Sequence, residues 1–265
     1  MRYAAALLLW GAVATPSAAH EFWIDPASAP APGGTASAEL RVGQDLKGET
    51  LSYLPTVVAS MRHHPPEGPA RDIAARIGDL PAIDGVAMEA DGLHLLTVET
   101  MPAYIVFEDM PEFVDYLAYE GWAGLEAAHR ARGLPEVEIA EEYLRHARAL
   151  VQVGAPQPAH VDRPAGLVLE LVFDGSPFLP DVDTLPVTLI WQGAPLGDRQ
   201  VSVFHRAPDG TVERSTAPTD GEGRVEIALD GPGDYLLNAV EIEPAEGPGS
   251  VVWQSHWASL AFTLP

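Results

Sequence analysis

From residue 21 onward, apolar and polar positions change places over short runs broken by proline and glycine. EFWID (21–25), TASAELRVG (35–43), LSYLPTVVASM (51–61), GLHLLTVET (92–100) and AYIVFE (103–108) read as strands, and APAPGG (29–34) reads as a turn between two of them. GDLPAIDGVAMEADG (78–92) has the composition of a strand, a turn and a strand. The period then changes. In EFVDYLAYEGWAGLEAAHRARG (112–133), Phe113, Leu117, Gly121 and Leu125 recur near one helical face, and Gly133 and Pro135 stop the run. EIAEEYLRHARALVQV (138–153) places Ile139, Tyr143, His146 and Leu150 on one stripe, with acids early and arginines late, and predicts a second helix.

After the joint APQPAHVDRPAG (155–166) the pattern is β again. Strands are expected at 167–175, 185–193, 199–206, 212–219, 223–231, 234–242 and 250–262. This spacing is that of an immunoglobulin- or transthyretin-like sandwich. The expected fold is mainly β: two β-sandwich-like parts with a two-helix insertion between them. The boundaries expected are a signal peptide over 1–19, an N-terminal β-rich domain over 20–154 carrying the helices at about 112–153, and a C-terminal sandwich over 155–265.

The first residues change the picture of where this fold works. Arg2, the apolar run AAALLLWGAVA (4–14) and the small residues TPSAA (15–19) have the order of a cleaved secretory signal. The run is shorter than the roughly 20 residues a membrane span needs, so no membrane insertion is expected once the signal is removed. The formal charge is −23, which argues against nucleic acid and anionic membranes as partners. The chain has no cysteine, so thiolate metal sites and cysteine nucleophiles are excluded and the fold must rely on its core. Export, the absent cysteines and the Ala/Gly/Pro-rich composition together point to a periplasm.

AHEFWIDP after a leader, EFVDYLAYEGW, EEYLRHARALVQVG, LPVTLIWQGAPLGDRQVSVF, TDGEGRVEIALDGPGDYLLNAVE and WQSHWASLAF resemble, in this order, a secreted bacterial family of unknown function. That family is usually described as the periplasmic component of cobalt or nickel uptake systems. The resemblance implies a nickel or cobalt ion as cofactor and a membrane metal transporter as partner. Family members often carry Tyr-Ala-Lys where this chain has His146-Ala147-Arg148.

Cleavage after Ala19 makes His20 the first residue of the processed chain. Its α-amine and imidazole Nδ1 then form a chelate, and reference pKa values of about 7.7–8.0 and about 6.5 make both easy to deprotonate. Planar nitrogen ligation suits Cu(II) and Ni(II), so ligand chemistry adds copper to the resemblance's nickel and cobalt. Further ligands are sought in His63, His64 and His94: the first two are adjacent at an expected turn, the third lies between apolar strand neighbours. The plainer reading makes His63 and His64 a solvated pair and His94 a satisfied sheet residue. His146, on a helical stripe, and His205 and His256, on alternating strands, read as core or half-buried positions, and Glu141-Glu142 as the solvent face of a helix. Trp253 and Trp257 share one face of the last strand and read as core packing.

No Gly-x-Ser-x-Gly elbow, P-loop or dinucleotide fingerprint occurs, and no catalytic residue is assigned. The expected function is transition-metal binding for uptake or delivery. Two alternatives are a copper-dependent oxidase with an N-terminal histidine brace and a metal-free protein- or glycan-binding module. The intact mass of protein exported by a bacterial host is expected to correspond to a chain starting at His20. Retention of Ala19 would replace the two-armed chelate by a square-planar one of the amine, the His20 amide and its imidazole, which suits the same metals.

Overall fold

The computed structural model describes residues 21–26, 30–246 and 249–265. In chain order the elements begin with β1 (Glu21–Pro26), β2 (Thr35–Gln44), β3 (Lys47–Leu51), β4 (Val58–His64), β5 (Arg71–Asp72), β6 (Ile83–Ala87), β7 (Gly92–Thr100) and β8 (Ala103–Asp109). Two helices follow, α1 (Met110–Tyr119) and α2 (Leu125–Ala131), and then β9 (Val137–Val153) and β10 (Leu169–Phe173). The remainder is β11 (Thr184–Trp191), β12 (Ala194–Pro195), β13 (Gln200–Arg206), β14 (Val212–Pro218), β15 (Arg224–Ala228), β16 (Gly233–Pro244) and β17 (Val251–Leu264).

A nine-stranded sheet ordered β14-β13-β16-β17-β9-β7-β4-β5, with β8 also on β9, forms the middle layer. Its pairings are antiparallel apart from β17 with β9, which is parallel. Because side chains alternate across a strand, each face builds its own core. On one face Leu96, Val98, Ala147 and Ala149 meet Trp23, Ile24, Leu40 and Ile83 of the sheet β1-β2-β3 with β6. On the other, Leu95, Leu150, Leu237 and Leu260 meet Leu169, Leu171, Val187 and Ile227 of the sheet β10-β11-β12 with β15. The fold is thus mainly β and sandwich-like, with the middle sheet common to both sandwiches. Strands from both sides of the 155–166 joint share it.

The two helices lie between β8 and β9, as an insertion. Asp109 caps α1 by accepting from Glu112 N at 3.0 Å, and Phe113, Tyr116 and Leu117 pack with Phe107, Trp253 and Trp257 on the face that β1 also covers. Gly121 ends this segment at φ +81, where a Cβ would stand 2.6 Å from Gln200 Cβ. Both helices fall within 112–133 as read from the sequence, allowing a start two residues earlier. The helix expected over 138–153 is instead strand β9, which overturns that reading. Lying between β17 on one side and β7 and β8 on the other, it is buried on both faces from His146 to Val153. Such a strand loses its alternation, and pairing on both edges overrides the helix propensity of its Ala, Glu, Arg and Leu residues.

One polar cluster crosses the second interface. Arg148 of β9 is fully buried and grips Asp162 of the joint with both ends, Nη2 to Oδ1 at 2.8 Å and Nη1 to Oδ2 at 3.2 Å. Its Nε lies 3.5 Å from Glu170 of β10, and it donates to the carbonyls of Leu171 and Arg163. The two acids also accept from the backbone N–H groups of Arg163, Ala165, Gly166 and Phe173. Removing one partner from such a cluster leaves buried charge uncompensated. Arg148→Met is therefore expected to cost about 3–5 kcal/mol in chemical denaturation. Adding Asp162→Asn and Glu170→Gln to the same chain is expected to restore part of that loss.

Candidate functional site

His20 lies outside the described residues. His63 and His64 are the last two residues of β4 rather than a turn, and both are buried. As neighbours in a strand they face opposite ways. His63 turns toward His94 of β7, with Nε2 2.8 Å from His94 Nδ1, while His94 Nε2 stands 2.8 Å from the carbonyl of Ala90. A carbonyl only accepts, so the His94 proton is on Nε2 and its Nδ1 accepts from His63. The ring planes differ by 10° and the centroids are 5.1 Å apart, which is the N···N distance plus the two ring radii. The imidazoles therefore lie edge to edge in one plane, joined in line. Burial, reinforced by the neighbouring His94 and Arg71, pushes His63 down to about 4. Burial also lowers His94, against the bond to Ala90.

His64 belongs to the other face, 3.0 Å from Thr97 Oγ1. Burial, with Arg62, Arg148 and Arg163 nearby, pushes it down to about 4. The structure thus unites His63 with His94 and separates His64 from them. The start of β1 is also distant. The Phe22 ring is 5.8 Å from the Arg145 guanidinium, and Arg145 stands six residues before Val151, the strand partner of His94. That is roughly 20 Å of strand. Among the described residues, no three His, Asp or Glu side chains are grouped to hold a metal ion.

A second imidazole pair was not legible in the sequence. His146 Nε2 lies 3.1 Å from His256 Nδ1, again edge to edge, with planes 7° apart and centroids at 5.4 Å. Register places Glu99 opposite His146, its carboxylate 3.3 Å from Nδ1, and Glu243 Oε1 is 4.0 Å from His256 Nε2. The nearby His146 imidazole holds the Glu99 carboxyl below its usual range, against burial. Burial, with His146 beside it, pushes His256 down to about 4. Two carboxylates and two imidazoles therefore form a line across β7, β9, β17 and β16.

Buried acids form a third cluster. Glu141, expected on a solvent-facing helix, is fully buried on β9 beneath α1. Tyr116 Oη donates to it at 3.1 Å, as does Ser255 Oγ, which itself accepts from Trp257 Nε1 at 2.9 Å. Burial pushes Glu141 up to about 7, against the pull of those two hydrogen bonds. Glu21 is likewise pushed up to about 7 by burial, and Glu120 well above its usual range. Trp253 and Trp257 pack in the core, as expected, and Trp253 Nε1 donates to His129 Nδ1 at 3.0 Å.

A family described as a domain of unknown function, DUF4198, matches residues 17–243, and the chain belongs to this family. No curated protein matches. Among solved structures, the crystal structure of a tetra-tandem repeat in the extending region of a large adhesion protein is 12% identical. The match covers 93% of this chain and 49% of that one, so the chain spans about half its length, and the TM-score is 0.24.

Glu141 offers a test of the buried acids. The unfolded chain releases this proton at about 4.5, whereas the folded one holds it to about 7, so stability falls as pH rises through that window and stays low above it. Glu141→Gln is expected to raise stability at about pH 8 by up to about 3 kcal/mol, and to change little at about pH 4. Thermal melts of both proteins at both pH values measure this. A glutamine variant less stable at the higher pH would mean that the fold holds the ionised carboxylate.

Proposed function

We propose that this chain binds a transition-metal ion in the periplasm, through imidazole nitrogens, and delivers it to a membrane transporter. The carrying observation is the His63–His94 pair. Both rings are buried and disfavour the proton that competes with a metal, and their nitrogens point at each other. The family resemblance and the place of His20 directly after the leader support the same reading.

Among nickel, cobalt and copper, the arrangement of the imidazoles favours copper at this pair. Ni(II) and Co(II) take four or more donors, and the described residues bring no such set together. Two in-line imidazoles match the linear coordination of Cu(I). With metal–nitrogen bonds of about 2 Å, the nitrogens must separate by about 1 Å from their hydrogen-bonded distance. The pair therefore supports copper for this site. His20, if it heads the processed chain, supplies a second locus suited to Cu(II) or Ni(II).

Competition titrations of exported, processed protein against chromogenic chelators, with Cu(I), Cu(II), Ni(II) and Co(II), test this. One tight Cu(I) site is expected, weakened at least about tenfold by His63→Ala or His94→Ala. His20→Ala is expected to weaken Cu(II) and Ni(II) instead, with all three variants checked for folding by thermal melting. Weak binding of every metal, indifferent to these substitutions, would overturn the proposal.

A further inference from the structure

The His146–His256 line lies on the face of the middle sheet that turns toward β10 and β11, opposite the face that carries His63 and His94. Trp191 of β11 packs against it, its ring edge-on to His256 with centroids 4.8 Å apart. Both imidazoles are buried, while Glu99 and Glu243, at the two ends, remain partly open to solvent.

The line is one positive charge short. Two neutral imidazoles carry two protons on four ring nitrogens. One proton is spent on the inner contact, between His146 Nε2 and His256 Nδ1 at 3.1 Å. Whichever ring donates it, the outer nitrogen of that ring is a bare lone pair. That lone pair faces a carboxylate: Glu99 at 3.3 Å from His146 Nδ1, or Glu243 at 4.0 Å from His256 Nε2. Acceptor thus confronts acceptor in either tautomer, and His146 Nδ1 is buried without a hydrogen-bond partner among the described residues. A cation held between the inner nitrogens removes the conflict. Both protons then sit on the outer nitrogens, and each faces a carboxylate.

We propose that the His146–His256 pair is a second Cu(I) site, with the ion held in line between His146 Nε2 and His256 Nδ1. The ring planes differ by 7°, so the two facing nitrogens offer the linear coordination of Cu(I). Metals that need four or more donors do not fit, because no three His, Asp or Glu side chains are grouped here among the described residues. With metal–nitrogen bonds of about 2 Å, the nitrogens open by about 1 Å. Glu99 and Glu243 are then the outer partners that fix the orientation and tautomer of a metal-bound histidine. Glu243 also lines an open pocket of about 580 Å³ with Glu142 and Glu246, through which a cation reaches this end of the line. The site shares no residue with the His63–His94 pair and does not rest on it. It is the weaker of the two, because β9 and β17 are paired on both edges and yield less than β4 beside the two-residue edge strand β5.

Anaerobic titration of the purified chain with Cu(I), followed by bound copper and by tryptophan fluorescence, tests this. A second, weaker equivalent is expected. Its binding is expected to quench the emission of Trp191, whose ring abuts a ligand, and the quench is expected to be absent from Trp191→Phe. His63→Ala is expected to weaken the first equivalent and leave the second with its quench, so the two sites stand or fall separately. His256→Gln is expected to abolish the quench. Glu243→Gln is expected to weaken the second equivalent about tenfold or more. Glu243 is a partly exposed strand residue, so this variant is expected to melt as the parent does. No second equivalent in the His63→Ala chain, or a quench that His256→Gln and Glu243→Gln leave intact, would overturn the proposal.

Discussion

Arg148 is enclosed between the nine-stranded sheet and the sheet built on β10 and β11, with no exposed surface. A guanidinium in that position is tolerable only because Asp162 and Glu170 meet it and because carbonyls of the surrounding chain absorb its remaining donors. The cluster fixes three segments relative to one another: the middle of β9, the irregular joint and the first strand of the second sandwich. The acids in turn hold the backbone N–H groups of the joint, a stretch with no ladder to use. The His146–His256 line lies on the same face of the same strand as Arg148, two residues away. Alignment across this interface therefore reaches the most polar part of the sheet.

Much of the architecture was legible because turns punctuate it. The strands after residue 166 appear where alternation and glycine predicted them, from Leu169 to Leu264. The failure at 138–153 has a definite cause. Ile139, Tyr143, His146 and Leu150 fit a helical stripe, yet Ala147, Ala149, Val151 and Val153 fit one strand face equally well. Nothing local decides between the two periods. The decision lies in β17 and β7, which pair with the two edges of this segment and lie far from it in sequence.

The site was less legible for the same reason. The adjacency of His63 and His64 promised a common location, but a strand sends neighbours to opposite faces. The real partner of His63 is His94, chosen by the β4–β7 register. His146 and Glu99 face each other only because β9 is a strand. Glu141 was hidden by abundance: in a chain with this many acids, one buried carboxylate has no local signature. Its parity with Tyr143 and Arg145, and its place beside Ser255 on the neighbouring strand, put it under α1.

The parallel pairing of β17 with β9 has a consequence for how the molecule assembles. Antiparallel neighbours joined by tight turns find each other early, since little chain entropy is lost in closing a short loop. β9 ends at Val153 and its partner begins only at Val251, so the middle of the sheet is a contact of high sequence separation. Until that contact forms, β9 exposes an unsatisfied edge, and neither covering sheet has a complete surface on which to pack. Closing that seam costs more chain entropy than closing a short hairpin such as β13–β14. An unpaired β9 edge is a template for wrong pairing, and the seam with β17 removes it.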